Sequence, residues 1–576
     1  MYNDTLSFHK KRLAMDYPYD NLENFTMKEL FERSVALYGD KNALGFISQT
    51  PLTYAQMAQQ VSKMSLLLQE HGIRKGDKVA ILSENMPNWG IAYLSISIIG
   101  AVVVPILPDF HPSEVKHILR HSEAKGIFIS LKYHGVLEDS HAPELEFALN
   151  IENLEFLEDF RESGYLAQLK QKVKEKIHNH HAHHDTTPHE EDICAIIYTS
   201  GTTGHSKGVM LSHKNIVTNA MSTHSVVKIT PDDVFFSVLP LAHTFECTVG
   251  FIVPLLHGAC VYYSNKAPTP SVLLRAFESV KPTMMLSVPL IIEKIYKNKV
   301  LSKMNESFWT RNLYKFPLFR KQLNKIAGKK LLEVFGGRLK FYGIGGAALP
   351  AYVEEFLYEA SFPYVVGYGL TETAPLLAGT PMDKPTKVRS TGPAMYGVEL
   401  KIKNPDPATG LGEICAKSPS IMRGYYKDDA KTKEVFDEEG WFLTGDLGSI
   451  DEDGYLFIRG RSKNVIVGPS GENIYPEQIE SIINKHELVL ESLVLEADGK
   501  LVARIHLDYE LIDKMFESHK NSDAHVKEEI TKLLETMRTE FNTQLASFNK
   551  LVKCVEQIEP FVKTPTKKIK RYLYTN

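Results

Sequence analysis

The chain has 576 residues, of which 43% are hydrophobic and 24% are charged, and its 66 basic and 70 acidic residues give a formal net charge of −4. One hydrophobic core rarely organises a chain of this length, so we expect at least two domains, the larger able to enclose a ligand site. The composition is that of a globular enzyme, and the slightly acidic balance gives no reason to expect nucleic acid as a partner.

Five cysteines lie far apart along the chain, and no two of them form a C-x-x-C pair. An odd number of widely spaced cysteines indicates buried thiols in a reducing compartment rather than disulfides or a zinc site. Residues 1–20 are mixed polar and aromatic, without the basic and then apolar pattern of a secretory signal. We therefore expect a cytoplasmic protein.

Alternating strand-like and helix-like stretches predict a large N-terminal α/β domain with mostly parallel sheets. Thr26 and Glu29 have the spacing of a capping box at the start of a helix that ends at Gly39. A strand, a helix and a strand are predicted next, at 43–47, 53–71 and 78–82, and strands at 126–129 and 195–198 continue the alternation.

An uncharged apolar stretch at 91–108 is almost long enough to span a membrane. Gly100 and Pro105 divide it into a helix-like half and a half rich in β-branched residues. This division predicts a buried helix followed by a central parallel strand.

Residues 170–192 are charged at first and then rich in histidine. Clustered imidazoles can bind a transition metal. This cluster has no cysteine and no fixed helical spacing, and a loop-like segment follows it at 185–188, so the pattern favours an exposed linker. Its histidines are His178, His180, His181, His183, His184 and His189.

The segment 198–208 reads Y-T-S-G-T-T-G-H-S-K-G. Glycines permit turns that aim backbone N–H groups inward, hydroxyls add donors and Lys207 adds positive charge, so the segment predicts a cradle for phosphate oxygens. A flexible hairpin is the other interpretation. It is not a Walker loop, because Ser206 precedes the lysine, Gly208 follows it, and a second strand comes next. The cradle comprises Thr199, Ser200, Gly201, Thr202, Thr203, Gly204 and Lys207.

Further polar clusters follow apolar runs. The G-x-G-G at 343–346 is a weak signal, since tight packing of a strand against a helix explains it as well as a nucleotide does. G-Y-G-L-T-E-T at 367–373 combines an aromatic ring, hydroxyls and a carboxylate, which suit a purine, a phosphate and a metal. G-W-F-L-T-G-D-L-G at 440–448 offers an acid suited to paired ribose hydroxyls.

These motifs, in this order, resemble the adenylate-forming superfamily of acyl- and aryl-CoA synthetases, peptide-synthetase adenylation domains and firefly-type luciferases. The resemblance rests on Y-T-S-G-T-T-G-x-x-K-G, Y-G-L-T-E-T, T-G-D and G-R-x-K, and it spans residues 26–571. G-W-F-L-T-G-D-L-G, S-G-E-N-I-Y-P and T-P-T-x-K-I-K-R are most similar to the long-chain fatty acyl-CoA synthetases.

The resemblance implies an α/β fold. A large N-terminal domain at 1–460 would have mostly parallel sheets flanked by helices and a β-barrel-like subdomain, and a small mobile α+β domain at 461–576 would turn about a hinge near Lys463. The implied reaction is ATP-dependent activation of a fatty acid to acyl-AMP with release of pyrophosphate, and then acyl transfer to coenzyme A. An acyl-AMP ligase that loads a carrier protein, or an enzyme for a medium-chain or aryl acid, is the alternative.

The resemblance also implies residue roles. Lys568 would bridge the acyl carboxylate and the α-phosphate, Glu372 would bind Mg²⁺, and Thr371 would bond the α-phosphate. His243 would lie near the point where the acyl group enters. Residues that would contact the nucleotide are Gly345, Gly346 and Ala347 by close backbone approach, Tyr368 and Gly369 at the adenine, Asp446 at the ribose hydroxyls, and Arg461 beside the ribose. Residues implied in the coenzyme A step are Lys463, Gly471, Glu472 and Asn473.

This sequence departs from the family pattern at Ser206, where the loop usually has proline, so the stiffness of the loop is expected to differ. No motif indicates the acyl chain length or the oligomeric state.

Residues 308–332 include seven basic residues, no acidic residue and several large apolar ones. Peripheral docking on an anionic bilayer would explain this composition. A solvated basic surface explains it equally well. The apolar residues singled out are Trp309, Leu313, Phe316, Leu318, Phe319 and Ile326.

Overall fold

The computed structural model describes residues 22–138, 140–160, 187–199, 206–266, 269–306, 308–467, 473–497, 499–516, 523–564 and 568–574. The predicted cradle residues from Ser200 to Gly204, the histidines from His178 to His184, and Gly471 and Glu472 lie outside the described residues.

The strands, in chain order, are β1 (Asn42–Phe46), β2 (Leu52–Thr53), β3 (Lys78–Leu82), β4 (Val102–Ile106), β5 (Ala124–Ile129), β6 (Phe147–Asn150), β7 (Glu155–Asp159), β8 (Ile193–Thr199), β9 (Lys207–Ser212), β10 (Val234–Ser237), β11 (Cys260–Tyr263), β12 (Met284–Ser287), β13 (Phe341–Ile344), β14 (Tyr364–Gly369), β15 (Leu376–Gly379), β16 (Glu399–Lys403), β17 (Gly412–Lys417), β18 (Gly424–Tyr425), β19 (Phe442–Ile450), β20 (Leu456–Arg461), β21 (Ile466–Val467), β22 (Asn473–Ile474), β23 (Val489–Ala497), β24 (Lys500–Leu507) and β25 (Lys553–Glu556).

The helices are α1 (Met27–Tyr38), α2 (Tyr54–Glu70), α3 (Pro87–Ser97), α4 (Pro112–Ser122), α5 (His213–Ser222), α6 (Val253–His257), α7 (Pro270–Val280), α8 (Pro289–Ile295), α9 (Ser302–Glu306), α10 (Phe308–Leu313), α11 (Pro317–Val334), α12 (Ala351–Glu359), α13 (Asp429–Glu434), α14 (Pro476–Ile483), α15 (Tyr509–Phe516) and α16 (Asp523–Gln544).

Two large sheets form the N-terminal part. One has the order β18-β9-β8-β4-β3-β5-β6-β7, and the other has the order β15-β14-β13-β12-β10-β11-β1-β2. Central strands pair in parallel, as in β4 with β3 and β12 with β13, whereas edge pairs such as β6 with β7 and β1 with β2 are antiparallel. The predicted α/β architecture with mostly parallel sheets is confirmed.

The apolar stretch at 91–108 contains the end of helix α3 and the whole of strand β4, and both are buried. Strand β4 lies between β3 and β8 within its sheet and pairs in parallel with both. Trp89 and Tyr93 on α3 pack against Phe251, with ring centroids 6.2 Å away in each case. The predicted buried helix and central strand are confirmed, and no helix in the described ranges is long and apolar enough to cross a bilayer.

Three smaller sheets follow, one of them the two-stranded pair of β21 and β22. Strands β16, β17, β19 and β20 form an antiparallel sheet, and β23, β24 and β25 form a three-stranded sheet. Residues between Ile474 and Cys554 bury a hydrophobic cluster of their own beneath this last sheet. A separate cluster indicates that the C-terminal part has its own core. It also contacts the N-terminal part, since Lys297 Nζ donates to the Asn484 carbonyl oxygen at 3.4 Å.

The first helix shows how local capping differs from its prediction. Thr26 accepts a hydrogen bond from Glu29 N at 3.1 Å, as a capping box requires. The Glu29 carboxylate, however, accepts from Asn24 N at 2.9 Å and from Glu23 N instead of from Thr26 N. Only half of the predicted box therefore forms, because the preceding segment folds back to meet the carboxylate. The five cysteines are free and buried, as predicted.

Candidate active site

The predicted phosphate cradle connects two antiparallel strands. Thr199 at the end of β8 pairs with Lys207 at the start of β9, which confirms a strand-to-strand connection. Ser206 is buried, and its hydroxyl donates to Glu114 Oε2 at 2.6 Å. Proline could not form this bond, so the serine at this position anchors the end of the segment to helix α4.

Positive and negative side chains converge beside Lys207. Burial lowers the pKa of Lys207, and the neighbouring charges of Lys431 and Lys463 lower it further, while Asp428 and Glu372 oppose the shift. Three lysines and two carboxylates therefore lie within electrostatic range of one another at the end of β9. A polyphosphate at this position would relieve the repulsion among the lysines.

Tyr425 connects two of the predicted site residues. Its hydroxyl donates to Glu372 Oε1 at 2.9 Å, and the Lys207 ammonium lies 5.2 Å from the centroid of its ring. Thr371 and Glu372 lie together in a short helical turn after β14. Sequence reasoning missed Tyr425, because a tyrosine after a glycine outside a recognised motif carries no distinctive signal.

Tyr368, Asp446 and Arg461 form a connected polar group. The Tyr368 hydroxyl donates to Asp446 Oδ2 at 2.8 Å, and Arg461 Nε lies 2.7 Å from Asp446 Oδ1. Asp446 and Arg461 are register partners on β19 and β20. Burial raises the pKa of Asp446, and the positive charge of Arg461 opposes that shift. A pair of ribose hydroxyls at Asp446 would have to share the carboxylate with these two partners.

Close packing explains why glycine occupies two of the predicted nucleotide-binding positions. A Cβ on Gly369 would overlap the Pro375 carbonyl oxygen, and a Cβ on Gly345 would lie 3.1 Å from the Phe245 ring. Gly346 has φ 84°, a conformation that favours glycine, and Ala347 after it is exposed. Close packing therefore accounts for Gly345 and Gly369 whether or not a nucleotide binds beside them.

Lys568 is hydrogen-bonded to Thr564 in the C-terminal part. Its backbone N–H donates to Thr564 Oγ1 at 3.1 Å, and its carbonyl oxygen accepts from Thr564 N at 2.7 Å. The residue is exposed as a whole, but desolvation of its ammonium group lowers its pKa. The positive charge of Arg461 lowers that pKa further, while Asp446 and Glu372 oppose the shift. Lys568 is thus within electrostatic range of three residues from the N-terminal part and the domain junction.

His243 lies within electrostatic range of Lys568. Burial lowers the pKa of His243 to about 4, and the charge of Lys568 contributes to the shift. Its Nδ1 accepts a hydrogen bond from Phe245 N at 3.2 Å. The imidazole is therefore neutral near pH 7. The remaining predicted residues lie at the junction, where Lys463 follows β20 in a helical turn and Asn473 is exposed at the start of β22.

Phe245, two residues after His243, lines a small apolar pocket of about 20 Å³. Its lining is apolar apart from Thr223 and includes glycines from β13, β14 and β15. Gly367, one residue before Tyr368, is part of the same lining. The pocket and the polar group around Asp446 are therefore adjacent along β14. The lining includes Val226, Phe245, Val249, Phe341, Leu376 and Ala378.

Comparison with known proteins identifies the fold and the family. ATP-bound MatB from Rhodopseudomonas palustris superposes with a TM-score of 0.72 at 24% identity, covering 95% of this chain and 98% of that chain. Its apo crystal structure gives a TM-score of 0.63. These likenesses concern the fold.

Two relatives have similar sequences. Fatty acyl-CoA synthetase A of Dictyostelium discoideum is 27% identical, over 90% of this chain and 83% of the relative. Long chain acyl-CoA synthetase 1 of Arabidopsis thaliana is 30% identical, over 82% of this chain and 77% of the relative. The AMP-binding enzyme family matches residues 31–426. This protein therefore belongs to the AMP-binding enzyme family.

Proposed function

We propose that this protein is a long-chain fatty acyl-CoA ligase. It would couple a fatty acid to ATP, forming acyl-AMP and releasing pyrophosphate, and would then transfer the acyl group to the thiol of coenzyme A. The observation that carries the proposal is the convergence of Lys568, Arg461, Asp446 and Glu372 beside an apolar pocket. The names of both relatives describe acyl-CoA synthetases, which supports the same reaction class.

The first half-reaction brings a carboxylate to a triphosphate, so repulsion between anions is the main electrostatic obstacle. In the proposal, Lys568 lies between the attacking carboxylate and the α-phosphate, and Thr371 bonds that phosphate. The lowered pKa of Lys568 reflects an ammonium group that is partly removed from water. A desolvated cation interacts more strongly with the developing charge than a hydrated one.

Lys207 would hold the β- and γ-phosphates that leave as pyrophosphate, together with the hydroxyls and N–H groups of residues 199–204. Lys463 would add charge at the same end of the site. Asp446 would accept the ribose hydroxyls, with Arg461 and Tyr368 holding its carboxylate in position. The adenine would lie against Tyr368 and the backbone of Gly345 to Ala347.

Glu372 is the residue proposed to hold Mg²⁺. No group of three or more potential ligands occurs in the described part of the chain, so a single carboxylate and the phosphate oxygens would have to share the ion. Carboxylate and phosphate oxygens are the ligands that Mg²⁺ prefers, and Glu372 is partly exposed, so the donor set fits. When bound, Mg²⁺ would neutralise charge on the phosphates.

The second half-reaction requires the thiol of coenzyme A to reach the carbonyl of acyl-AMP, a position that Lys568 would obstruct. We propose that residues 461–576 form a domain that rotates about Lys463 and removes Lys568 from the site. Gly471, Glu472 and Asn473 would then face the site. The separate core of the C-terminal part supports such rigid-body movement.

The apolar pocket supports an aliphatic acyl group rather than a charged one. The pocket measures only about 20 Å³, room for about one methyl group, so a long chain would require it to widen, and the preference for long chains is proposed from the name of the Arabidopsis relative. The decisive assay supplies the full chain with carboxylic acids from acetate to oleate and measures pyrophosphate, AMP and acyl-CoA, with and without coenzyme A.

We expect activity to peak with long aliphatic acids and acyl-CoA to form only when coenzyme A is present. A peak with acetate or an aryl acid would contradict the long-chain assignment. If acyl-AMP accumulates and no acyl-CoA forms when coenzyme A is supplied, the carrier-loading alternative is supported instead.

A further inference from the structure

The helices α10 and α11 present a basic and apolar surface that the proposed reaction does not use. Trp309 is 75% exposed, Phe308 66%, Phe316 60% and Leu318 81%, so large apolar groups face solvent along both helices. Phe308 and Trp309 pack edge to face with centroids 6.1 Å apart. We call this surface, made by the exposed residues of 308–330, the basic-apolar face.

Helix α11 separates a buried side from this face. Asn324, Gly328 and Leu331 are buried, and at 100° per residue they cluster on one side of the helix. Phe319 and Ile326 lie on the opposite side and Leu318 lies on the flank, and all three are exposed together with lysines. The exposed lysines of α11 are Lys321, Lys325, Lys329 and Lys330.

Most of the charge of the face is not balanced by ion pairs. Residues 308–332 contain seven basic residues and no acidic residue. Arg320 pairs with Glu359 at 2.6 Å, whereas none of the other six has an ion pair with any residue in the described ranges. These six are Arg311, Lys315, Lys321, Lys325, Lys329 and Lys330.

Aromatic rings and lysines exposed together on two successive helices suit a lipid surface better than a protein surface. Lysine is depleted in protein–protein interfaces, because burying its hydrated ammonium group is unfavourable. At a bilayer, the apolar rings enter the boundary between headgroups and acyl chains while the lysine stems extend toward the phosphates. Each lysine or arginine near an anionic membrane contributes about 1 kcal/mol.

We propose that the basic-apolar face docks on an anionic lipid bilayer. The inference goes beyond the proposed reaction, since binding to membranes requires neither ATP nor coenzyme A. If the proposed function is also correct, docking would place the enzyme at the phase in which fatty acids dissolve.

Co-sedimentation with vesicles tests the proposal. The full chain is mixed with phosphatidylcholine vesicles, or with vesicles that also contain phosphatidylglycerol. We expect binding to the anionic vesicles only, and a marked loss of binding in high salt, which screens charge. A variant with Lys321→Gln, Lys325→Gln and Lys329→Gln should bind the anionic vesicles at least about tenfold more weakly. The apolar variant Trp309→Ala with Leu318→Ala should also bind more weakly.

Matched variants control for charge and for surface hydrophobicity. Lys433, Lys500 and Lys550 are exposed lysines outside the face, and replacing all three by glutamine should leave vesicle binding unchanged. Leu490→Ala with Ile558→Ala removes exposed apolar groups outside the face and should also leave vesicle binding unchanged. Circular dichroism confirms that each variant folds.

Equal binding by the face variants and the controls would overturn the proposal. So would a dimer in sedimentation velocity that the face substitutions dissociate while vesicles remain unbound, since the face would then be a contact between two copies. Pyrophosphate release with fatty acid in detergent is measured separately, so a failure of docking and a failure of the proposed reaction are distinguishable.

Discussion

Lys568 is the residue on which the proposed adenylation depends most directly. Replacing it by alanine removes a cation within electrostatic range of Asp446 and Glu372. We expect Lys568→Ala to reduce acyl-AMP formation at least about a hundredfold, because a preorganised charge stabilises the transition state more than the ground state. Pyrophosphate release measures the effect.

Two comparisons separate this role from a general loss of structure. Transfer of the acyl group from supplied acyl-AMP to coenzyme A should proceed normally in Lys568→Ala, since the proposal has Lys568 leave the site before that step. Lys570→Ala removes a lysine two positions away and should leave both steps intact. Full-rate acyl-AMP formation by Lys568→Ala would exclude the proposed role.

Tyr425 acts through its neighbours Glu372 and Lys207. Tyr425→Phe keeps the ring beside Lys207 and removes the hydroxyl that donates to Glu372. We expect about a tenfold loss of kcat/KM for ATP, since a hydrogen bond to a charged group contributes about 1.5 kcal/mol. A shift in the Mg²⁺ concentration for half-maximal activity would identify Glu372 as the group affected.

The adjacent Tyr426 supplies the matched control. Its hydroxyl donates to Glu123 at 3.2 Å, away from Glu372. Tyr426→Phe should therefore retain the Mg²⁺ dependence of the unmodified protein. If the two variants need the same Mg²⁺ concentration for half-maximal activity, the Tyr425 hydroxyl does not act through Glu372 and Tyr425 contributes only to packing.

At the scale of elements, the π-helical segment Glu246–Ile252 places a carboxyl group in the core. Glu246 is 1% exposed, its Oε2 has no hydrogen-bond partner in the described part of the chain, and it lies against Gly250. Burial raises the pKa of Glu246 to about 8. The folded protein therefore keeps this side chain neutral where an unfolded chain would ionise it.

This difference predicts a pH dependence of stability. Between the ordinary pKa of 4.5 and the folded value of about 8, the folded state holds one proton more than the unfolded state. The contribution of Glu246 is fully present below pH 4.5 and is lost as the pH rises to about 8. The loss is at most about 1.4 kcal/mol per pH unit.

Glu246→Gln cannot ionise in either state. Its melting temperature should therefore rise relative to that of the unmodified protein as the pH is raised across this range. The exposed Glu438→Gln is the control, and it should shift the melting temperature equally at each pH. A constant difference between Glu246→Gln and the unmodified protein would contradict a neutral Glu246.

At the scale of the whole molecule, Lys568 reaches the site because the C-terminal part is turned toward it. Lys297 and Asn484 meet across the two parts at 3.4 Å. Holding these two residues together would keep the parts in the present arrangement.

A covalent cross-link tests whether the parts must separate. Lys297→Cys and Asn484→Cys can be joined by a short bis-maleimide, and the five native cysteines are buried away from the reagent. We expect the linked protein to form acyl-AMP at a normal rate and to transfer it to coenzyme A at least about tenfold more slowly, because the link would block the proposed rotation. The double variant without reagent is the control. Normal transfer after linking would rule out the rotation.

The sequence by itself determined the local features. The alternation of apolar runs predicted the parallel sheets, and Gly100 and Pro105 distinguished a buried helix and strand from a membrane span. The spacing around Lys207 predicted a strand-to-strand connection. These features depend on residues close together in the chain, where periodicity and turn chemistry act directly.

Only the tertiary structure decided which distant residues meet. Tyr425 contacts Glu372 and Lys207, although 53 positions separate it from Glu372. No local sequence pattern predicts that contact. The buried carboxyl of Glu246, the incomplete capping box at Thr26 and the approach of Lys568 to Asp446 likewise depend on packing between separate elements. Burial and charge pairing arise only when the chain folds. Their effects on pKa values and on geometry therefore cannot be predicted from a local sequence pattern.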